Sequence, residues 1–417
     1  MTSPHQQSDS QARDAAAEQE TPYAWVRLGA SLLLSTIGSV GMWSAVVVLP
    51  AVQADFAVAR ADASLPYTVA MIGFVVGQVM MGRLADRFGI AAPASAGTIA
   101  LGLGYIAASQ AGGLWQVTIA YGLLIGMGCS ATFGPVIADV SHWFSRRRGL
   151  AVAVASCGSY LAGTVWPPVI QHFTQSAGWR ATHLGIGLFC LVTMLPLALV
   201  LRRRPHAARH PHPVPIVGGP RRATSLSPNA VQGLLMAAGV ACCVAMSMPQ
   251  VHIVALCADL GYGATRGAEM LSLMLGFGIV SRLASGWIAD RIGPVITLLI
   301  GSGMQAVSLL LYLPSDALLS LYVVSALFGL FQGGIVPSYS LIVREYFPPS
   351  EAGTRISLVL SATVAGMALG GWMSGAIFDY TLSYQAAFLN GFLWNLLNLA
   401  IAVLLLFKLR PQRLAAA

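Results

Sequence analysis

The sequence predicts an all-α membrane protein whose twelve transmembrane helices form two pseudo-symmetric six-helix bundles, and three observations carry that prediction. The 417 residues are 56% hydrophobic and only 9% charged, whereas a soluble chain needs about a quarter charged residues to cover its surface. The apolar residues fall in blocks of roughly 18 to 25, each long enough to cross about 30 Å of hydrocarbon as a helix. A motif of the first half returns in the second at an offset of 204 residues.

The blocks predict helices over 27–52, 64–82, 93–111, 114–139, 150–170 and 182–201, then 229–257, 269–289, 294–313, 317–340, 356–377 and 385–407. The 44 glycines and 22 prolines suit membrane helices, where neighbouring helices tolerate both. Residues 1–24 read as a disordered polar tail with no signal peptide. Residues 25–201 read as the first bundle, 202–228 as a linker rich in Arg, Pro and His, 229–408 as the second bundle, and 409–417 as a second tail.

The pI near 9.4 does not point to nucleic acid, because the basic residues lie at the ends of the apolar blocks. With twelve helices, 19 of the 23 basic residues fall on the side that holds both termini. Only Arg60, Arg180 and Arg266 fall on the other side, and Arg282 lies within a helix. The positive-inside rule therefore predicts cytoplasmic termini in a cell inner membrane. The six cysteines lie in or beside apolar blocks without metal-ligand spacing, and read as small packing residues. His206, His210 and His212 belong to the Pro-rich linker and read as solvated. No cofactor or metal site is expected, and the chain reads as a monomer whose partners are the lipid bilayer and a small solute.

The repeat is specific. Gly82-Arg83-Leu84-Ala85-Asp86-Arg87-Phe88-Gly89 returns as Gly286-Trp287-Ile288-Ala289-Asp290-Arg291-Ile292-Gly293. Pro135 matches Pro337, Trp143-Phe144 matches Tyr346-Phe347, and Gly149 matches Gly353. Duplicated halves of this kind place a substrate between the repeats near the bilayer midplane.

The G-x-x-x-D-R-x-G loop after helix two resembles the signature loop of the major facilitator superfamily. The resemblance implies that fold and assigns gating roles to Gly82, Asp86, Arg87, Asp290 and Arg291, with Asp139 joining the same network. Glycine permits the tight turn, and the charges pair only while the bundle is closed on that side. Trp143-Phe144-Ser145-Arg146-Arg147-Arg148-Gly149-Leu150-Ala151 resembles the monocarboxylate transporter and oxalate–formate antiporter branch. That branch places an arginine in helix eight for the substrate carboxylate, and Arg282 stands there. Where related eukaryotic carriers have an aspartate one turn earlier, this chain has Gly278. It has no lysine in helix one and no charge from Ile356 to Ile377.

Arg282 is the central basic residue, and its planar fork suits a carboxylate held by two hydrogen bonds. Burial at that depth costs about 2.5–3.5 kcal/mol and is tolerated beside a wet cavity. Ser325, Gln332 and Tyr339 recur every seven residues in helix ten, and Ser31, Ser35 and Ser39 every four in helix one, so each set shares a helix face. With Trp43, Tyr67 and Tyr160 they form the expected cavity lining. His252, three residues after Pro249, is the candidate proton carrier. The expected activity is secondary transport of a small organic anion, a monocarboxylate first, by proton symport or exchange for a counter-anion. The alternatives are export of drugs or metabolites, and uptake of a larger anion such as an aromatic acid or vitamin. No convergent catalytic cluster suggests an enzyme.

Overall fold

The computed structural model describes residues 21–144, 147–203 and 226–408, and every regular element among them is helical. The predicted tails and linker, with Arg146, His206, His210 and His212, lie largely or wholly outside the described residues.

Eleven continuous helical stretches are long and apolar enough to cross a membrane. We number the spans α1 (Pro22–Phe56), α2 (Arg60–Phe88), α3 (Ala91–Ser109) and α4 (Leu114–Trp143). A 51-residue stretch, Leu150–Val200, follows. At 1.5 Å per residue that is about 75 Å, twice what one crossing requires. It is two helices, α5 (150–177) and α6 (179–200), joined at Gly178, whose φ of 83° and ψ of 160° turn the chain back. The sequence predicts a loop over 171–181; a single glycine in the left-handed region replaces it. The second half comprises α7 (Pro228–Asp259), α8 (Ala264–Ile292), α9 (Pro294–Tyr312), α10 (Leu318–Tyr346), α11 (Glu351–Thr381) and α12 (Tyr384–Lys408). The twelve spans thus make two bundles of six.

The duplication extends to the backbone. Positive φ occurs at Ala57 and Gly261, at Gly89 and Gly293, and at Gly178 and Leu382, three pairs that each lie 204 residues apart. These are the turns between α1 and α2, α2 and α3, and α5 and α6, with their counterparts. Two interruptions repeat as well. α4 breaks before Gly134–Trp143 and α10 before Ile335–Tyr346, each just ahead of a matched proline, Pro135 or Pro337, which cannot donate to the preceding turn.

Close backbone approach holds each half together. A Cβ on Gly126 would lie 2.3 Å from the Ala70 carbonyl, and one on Gly329 would lie 1.9 Å from that of Met274. Gly126/Gly329 and Ala70/Met274 are themselves repeat partners, so α2–α4 and α8–α10 pack by one device, small residues that let helices touch without a hydrophobic driving force. Each half also encloses polar bonds of its own. In the first, Ser44 Oγ lies 2.6 Å from the Tyr105 hydroxyl and 2.9 Å from that of Tyr121, which reaches His183 Nε2 at 2.7 Å. In the second, Tyr339 donates to Asn398 Oδ1 at 2.8 Å, and Asn398 Nδ2 donates to Ser302 Oγ at 2.8 Å.

At the face where α1 begins and α12 ends, the terminal face, Arg27 grips Asp139 with two bonds of 2.8 Å. Arg27 is 1% exposed and also donates to the Tyr23 hydroxyl and the Arg203 carbonyl. This pair joins α1 to α4 within one half. At the opposite face the two halves meet directly. Gly371 and Gly375 of α11 pack on Tyr67 and on the Ala61 backbone of α2, at 3.0 Å from a notional Cβ in each case.

Gly329→Ala should lower the melting temperature, because overpacking of this kind costs about 1–3 kcal/mol. Gly303→Ala, where a Cβ meets nothing within 4 Å, should raise it slightly through helix propensity, by up to about 1 kcal/mol. Thermal unfolding of the two purified variants checks both signs.

Candidate functional site

Arg282 lies on α8 at the seam with α5, so the two halves share its surroundings. Its guanidinium carbon stands 4.5 Å from the centroid of the Tyr160 ring, within cation–π range. Nη1 donates to the Ser156 carbonyl at 3.2 Å. That carbonyl is available because α5 is interrupted here, between the segments Arg148–Ser156 and Gly158–Val200. Nε is buried without a hydrogen-bond partner. Among the described residues no carboxylate pairs with Arg282. The Ser156 carbonyl meets one edge of the cation and the Tyr160 ring one face, and among the described residues Nε finds no acceptor.

Gly278, one turn before Arg282, explains how Tyr160 reaches this position. A Cβ there would lie 2.4 Å from Tyr160 Cε1, so any side chain at 278 would displace the ring. Tyr160 and the absence of an aspartate at 278 are two aspects of one packing solution. The repeat position of Arg282 in the first half is Gln78, so the positive charge belongs to one side of the cavity alone.

Trp43 approaches from α1. Its Nε1 donates to the Ser159 carbonyl at 3.2 Å, and its ring and Leu275 fill the space a Cβ on Gly163 would need. Ser39 is buried at the junction between the α1 segments Pro22–Gly38 and Val40–Phe56. Ser35 packs against Gly158, and both Ser31 and Ser35 keep buried hydroxyls without a partner. Tyr67 of α2 also has a buried, unpartnered hydroxyl. Cys243 of α7 is buried against Gly366 of α11.

The seven-residue stripe of α10 does not act as one face. Gly333 and Gly334 interrupt the helix, and each polar residue finds a different partner inside the second half. Ser325 bonds Tyr312 at 2.8 Å, and Tyr339 bonds Asn398. Gln332 Oε1 accepts from Gln250 Nε2 at 2.8 Å, leaving Gln332 Nε2 and Gln250 Oε1 buried and unpartnered. Ser325 and Gln332 share the continuous segment Leu318–Gln332, and the glycine break sets Tyr339 on the next one.

His252 stands apart from Arg282. It is fully buried, with Nε2 2.8 Å from the Gly371 carbonyl and Nδ1 3.2 Å from the Tyr384 hydroxyl. A carbonyl only accepts, so Nε2 carries the proton. At the terminal face, Gly82 has open space around its Cα. Asp86, Arg87, Asp290 and Arg291 are exposed, and none forms an ion pair among the described residues. Arg87 lies over Phe88 and Arg291 over Trp287, each on its own helix. These exposed charges thus lie at the face opposite the one where α2 packs on α11.

Restoring a side chain at 278 tests this packing. Gly278→Ala alone should lower the melting temperature, and Tyr160→Ala/Gly278→Ala should recover part of the loss, because residues in direct contact couple non-additively. Equal destabilisation by the single and double variants would show that the ring does not fill this space.

The comparisons with known proteins concern the family and the fold. The sequence matches the profile of the Major Facilitator Superfamily over residues 31–318 and 234–417. It is 32% identical over 330 residues to Monocarboxylate transporter 13 of Bos taurus, covering 77% of this chain and 75% of the relative. It is 26% identical to the MFS-type transporter opdF of Penicillium oxalicum, over 71% and 69% of the two chains. Among solved structures, a peptide transporter in complex with alafosfalin superposes with a TM-score of 0.73 at 15% identity, over 94% of this chain and 98% of the other. The nucleoside transporter NupG gives 0.71 at 12% identity, over 92% and 100%; likeness at this level concerns the fold alone. The chain is a multi-pass membrane transporter and belongs to the major facilitator superfamily.

Proposed function

We propose that the chain is a secondary carrier of a small organic anion, in the first instance a monocarboxylate, with Arg282 as the carboxylate clamp. The observation that carries this reading is the state of Arg282: a cation at the seam of the halves, with no carboxylate partner and with Nε buried and unpartnered. A carboxylate arriving there accepts two N–H groups and neutralises the charge in one event. Tyr160 holds the guanidinium plane, and Trp43 and Ser39 border the site from α1. Gln332 offers the amide N–H that its own bundle leaves unused, whereas Tyr339 supports α10 through Asn398. The likeness to a protein named a monocarboxylate transporter supports the same substrate class.

In this reading the terminal face is cytoplasmic and the membrane is a cell inner membrane, in keeping with the 19 basic residues on that side and the positive-inside rule. Asp86, Arg87, Asp290 and Arg291 close that face when the halves rock together, with Asp139 held ready by Arg27. A negative interior opposes anion entry by about 2.3 kcal/mol per charge per 100 mV, so uptake is linked to a proton or to an outgoing anion. His252 is the proton candidate, and its place beside Tyr384 means that a proton there acts on closure of the opposite face and not on the substrate.

Ligand-induced thermal stabilisation of the purified protein tests the clamp. A monocarboxylate at 100 times its dissociation constant should stabilise by about 2.7 kcal/mol, Arg282→Ala should abolish the shift, and Arg282→Lys should not restore it. Stabilisation by cationic drugs alone, or a carboxylate response that survives Arg282→Ala, would overturn the reading. Proteoliposomes separate the coupling modes. If a proton on His252 drives uptake, His252→Asn should lower pH-gradient-driven uptake at least tenfold and leave anion exchange intact; unchanged gradient-driven uptake would remove His252 from the mechanism.

A further inference from the structure

The halves are joined at the opposite face by side chains remote from Arg282. Arg60, the first residue of α2, places Nη1 and Nη2 at 3.0 and 3.1 Å from the two carboxylate oxygens of Asp259 at the end of α7. The same Nη1 donates to the Tyr384 hydroxyl at the start of α12. The guanidinium lies 4.5 Å from the centroid of Phe378 on α11, and the side chain is 8% exposed against 36% for Asp259. The backbone takes part too. The N–H groups of Arg60 and Ala61 donate to the two oxygens of Asp379 at 2.9 and 2.8 Å. A carboxylate of one half thus caps a helix start of the other, where the first N–H groups have no acceptor within the helix and the dipole favours negative charge. All of these partners belong to the second half.

Comparing the repeats explains why the bond crosses between halves. Asp259 is the counterpart of Asp55, and Asp55 is paired with Arg180 inside the first half. The residue 204 positions after Arg180 is Tyr384, so the second half has no arginine with which to neutralise Asp259. Arg60 supplies it from across the seam. Asp379 is likewise the counterpart of Gln175, which donates to Thr265 Oγ1 at 2.6 Å, and Thr265 is the counterpart of Ala61. The seam therefore has two bridges related by the pseudo-twofold axis. The α5–α8 bridge is a neutral, exposed amide–hydroxyl bond. The α2–α11 bridge is a carboxylate accepting two backbone N–H groups, and the Arg60–Asp259 ion pair between α2 and α7 stands beside it.

We propose that Arg60 is the latch of the opposite face. Its bonds to Asp259 and Tyr384, together with the Asp379 cap, break each time the carrier opens on that side, and their strength sets the balance between its two access states. The latch acts whatever substrate Arg282 receives. Removing Asp259 leaves the buried Arg60 guanidinium without its carboxylate, and removing Arg60 leaves Asp259 without its cation, so the loss falls on the closed state.

The test uses the full chain in lipid nanodiscs, with spin labels at Asp62 and Tyr380, exposed positions on the two sides of this seam. Pulsed electron paramagnetic resonance reads the distance between them. The parent protein should give mainly the short, closed distance, and Arg60→Gln should raise the long-distance fraction at least tenfold. Asp259→Asn should do the same, and the combined variant should show no more than either alone, since both remove one bond. Unchanged distances in both single variants, or additive shifts in the combined one, would overturn the proposal. Should Arg60→Gln fail to fold, Asp259→Asn decides alone: a shift supports the latch and its absence refutes it.

Discussion

Inside hydrocarbon no water stands ready to bond a free peptide group, and this constraint governs the rest of the molecule. The chain turns only where a few residues can reverse it, and three of those reversals fall at the same places in both halves, Ala57/Gly261, Gly89/Gly293 and Gly178/Leu382. Helix contact then depends on shape, because lipid is as apolar as leucine. The carbonyl contacts of Gly126 and Gly329 fix α2 on α4 and α8 on α10, and buried hydrogen bonds fix the remaining helices within each half. Glycines at α2–α11 and side-chain bonds join the two.

A cation near the middle of such a structure needs an account of its charge. Arg282 has a ring and a single carbonyl. A cation–π contact contributes about 0.5–2 kcal/mol and a hydrogen bond to a charged group about 1.5–3 kcal/mol, against an insertion penalty of about 2.5–3.5 kcal/mol. In the proposed reading, the buried Nε that finds no partner is what an arriving anion satisfies. A carboxylate at 278 would have neutralised the arginine internally, but Gly278 and the Tyr160 ring occupy that space together. On the proposed function, an anion bound there changes the charge buried at the seam and so separates the energies of the loaded and empty carrier.

Composition, hydropathy blocks and the repeated signature loop made the twelve-helix, two-bundle architecture legible from sequence. The fusion of α5 and α6 was not, since residues 171–181 contain no run of turn residues and Gly178 alone reverses the chain. The α10 stripe misled for a related reason: a seven-residue period places side chains on one face only if the helix is continuous, and Gly333–Gly334 interrupts it. Arg282 stood out by its depth, whereas Tyr160 as its partner depended on the space left at Gly278, which no spacing rule encodes. Arg60 read as a topological charge at a loop edge. Its partners Asp259, Asp379 and Tyr384 lie about 200 to 325 residues away in sequence, beyond the reach of any local pattern.

The repeat itself offers a more general way to find such residues. Positions that match between the halves, at offsets of 202 to 204 residues, build the scaffold: the reversing turns, the glycine contacts and the prolines that break α4 and α10. Positions that fail to match carry the chemistry. Arg282 faces a first-half counterpart of Gln78, Tyr384 one of Arg180, and Asp379 one of Gln175. Each mismatch leaves a charge that its own half does not neutralise, and such a charge must be met by substrate or by the other half. With an arginine repeated at 384, Asp259 could pair within its own half as Asp55 does with Arg180, and Arg60 would lose the carboxylate it meets across the seam.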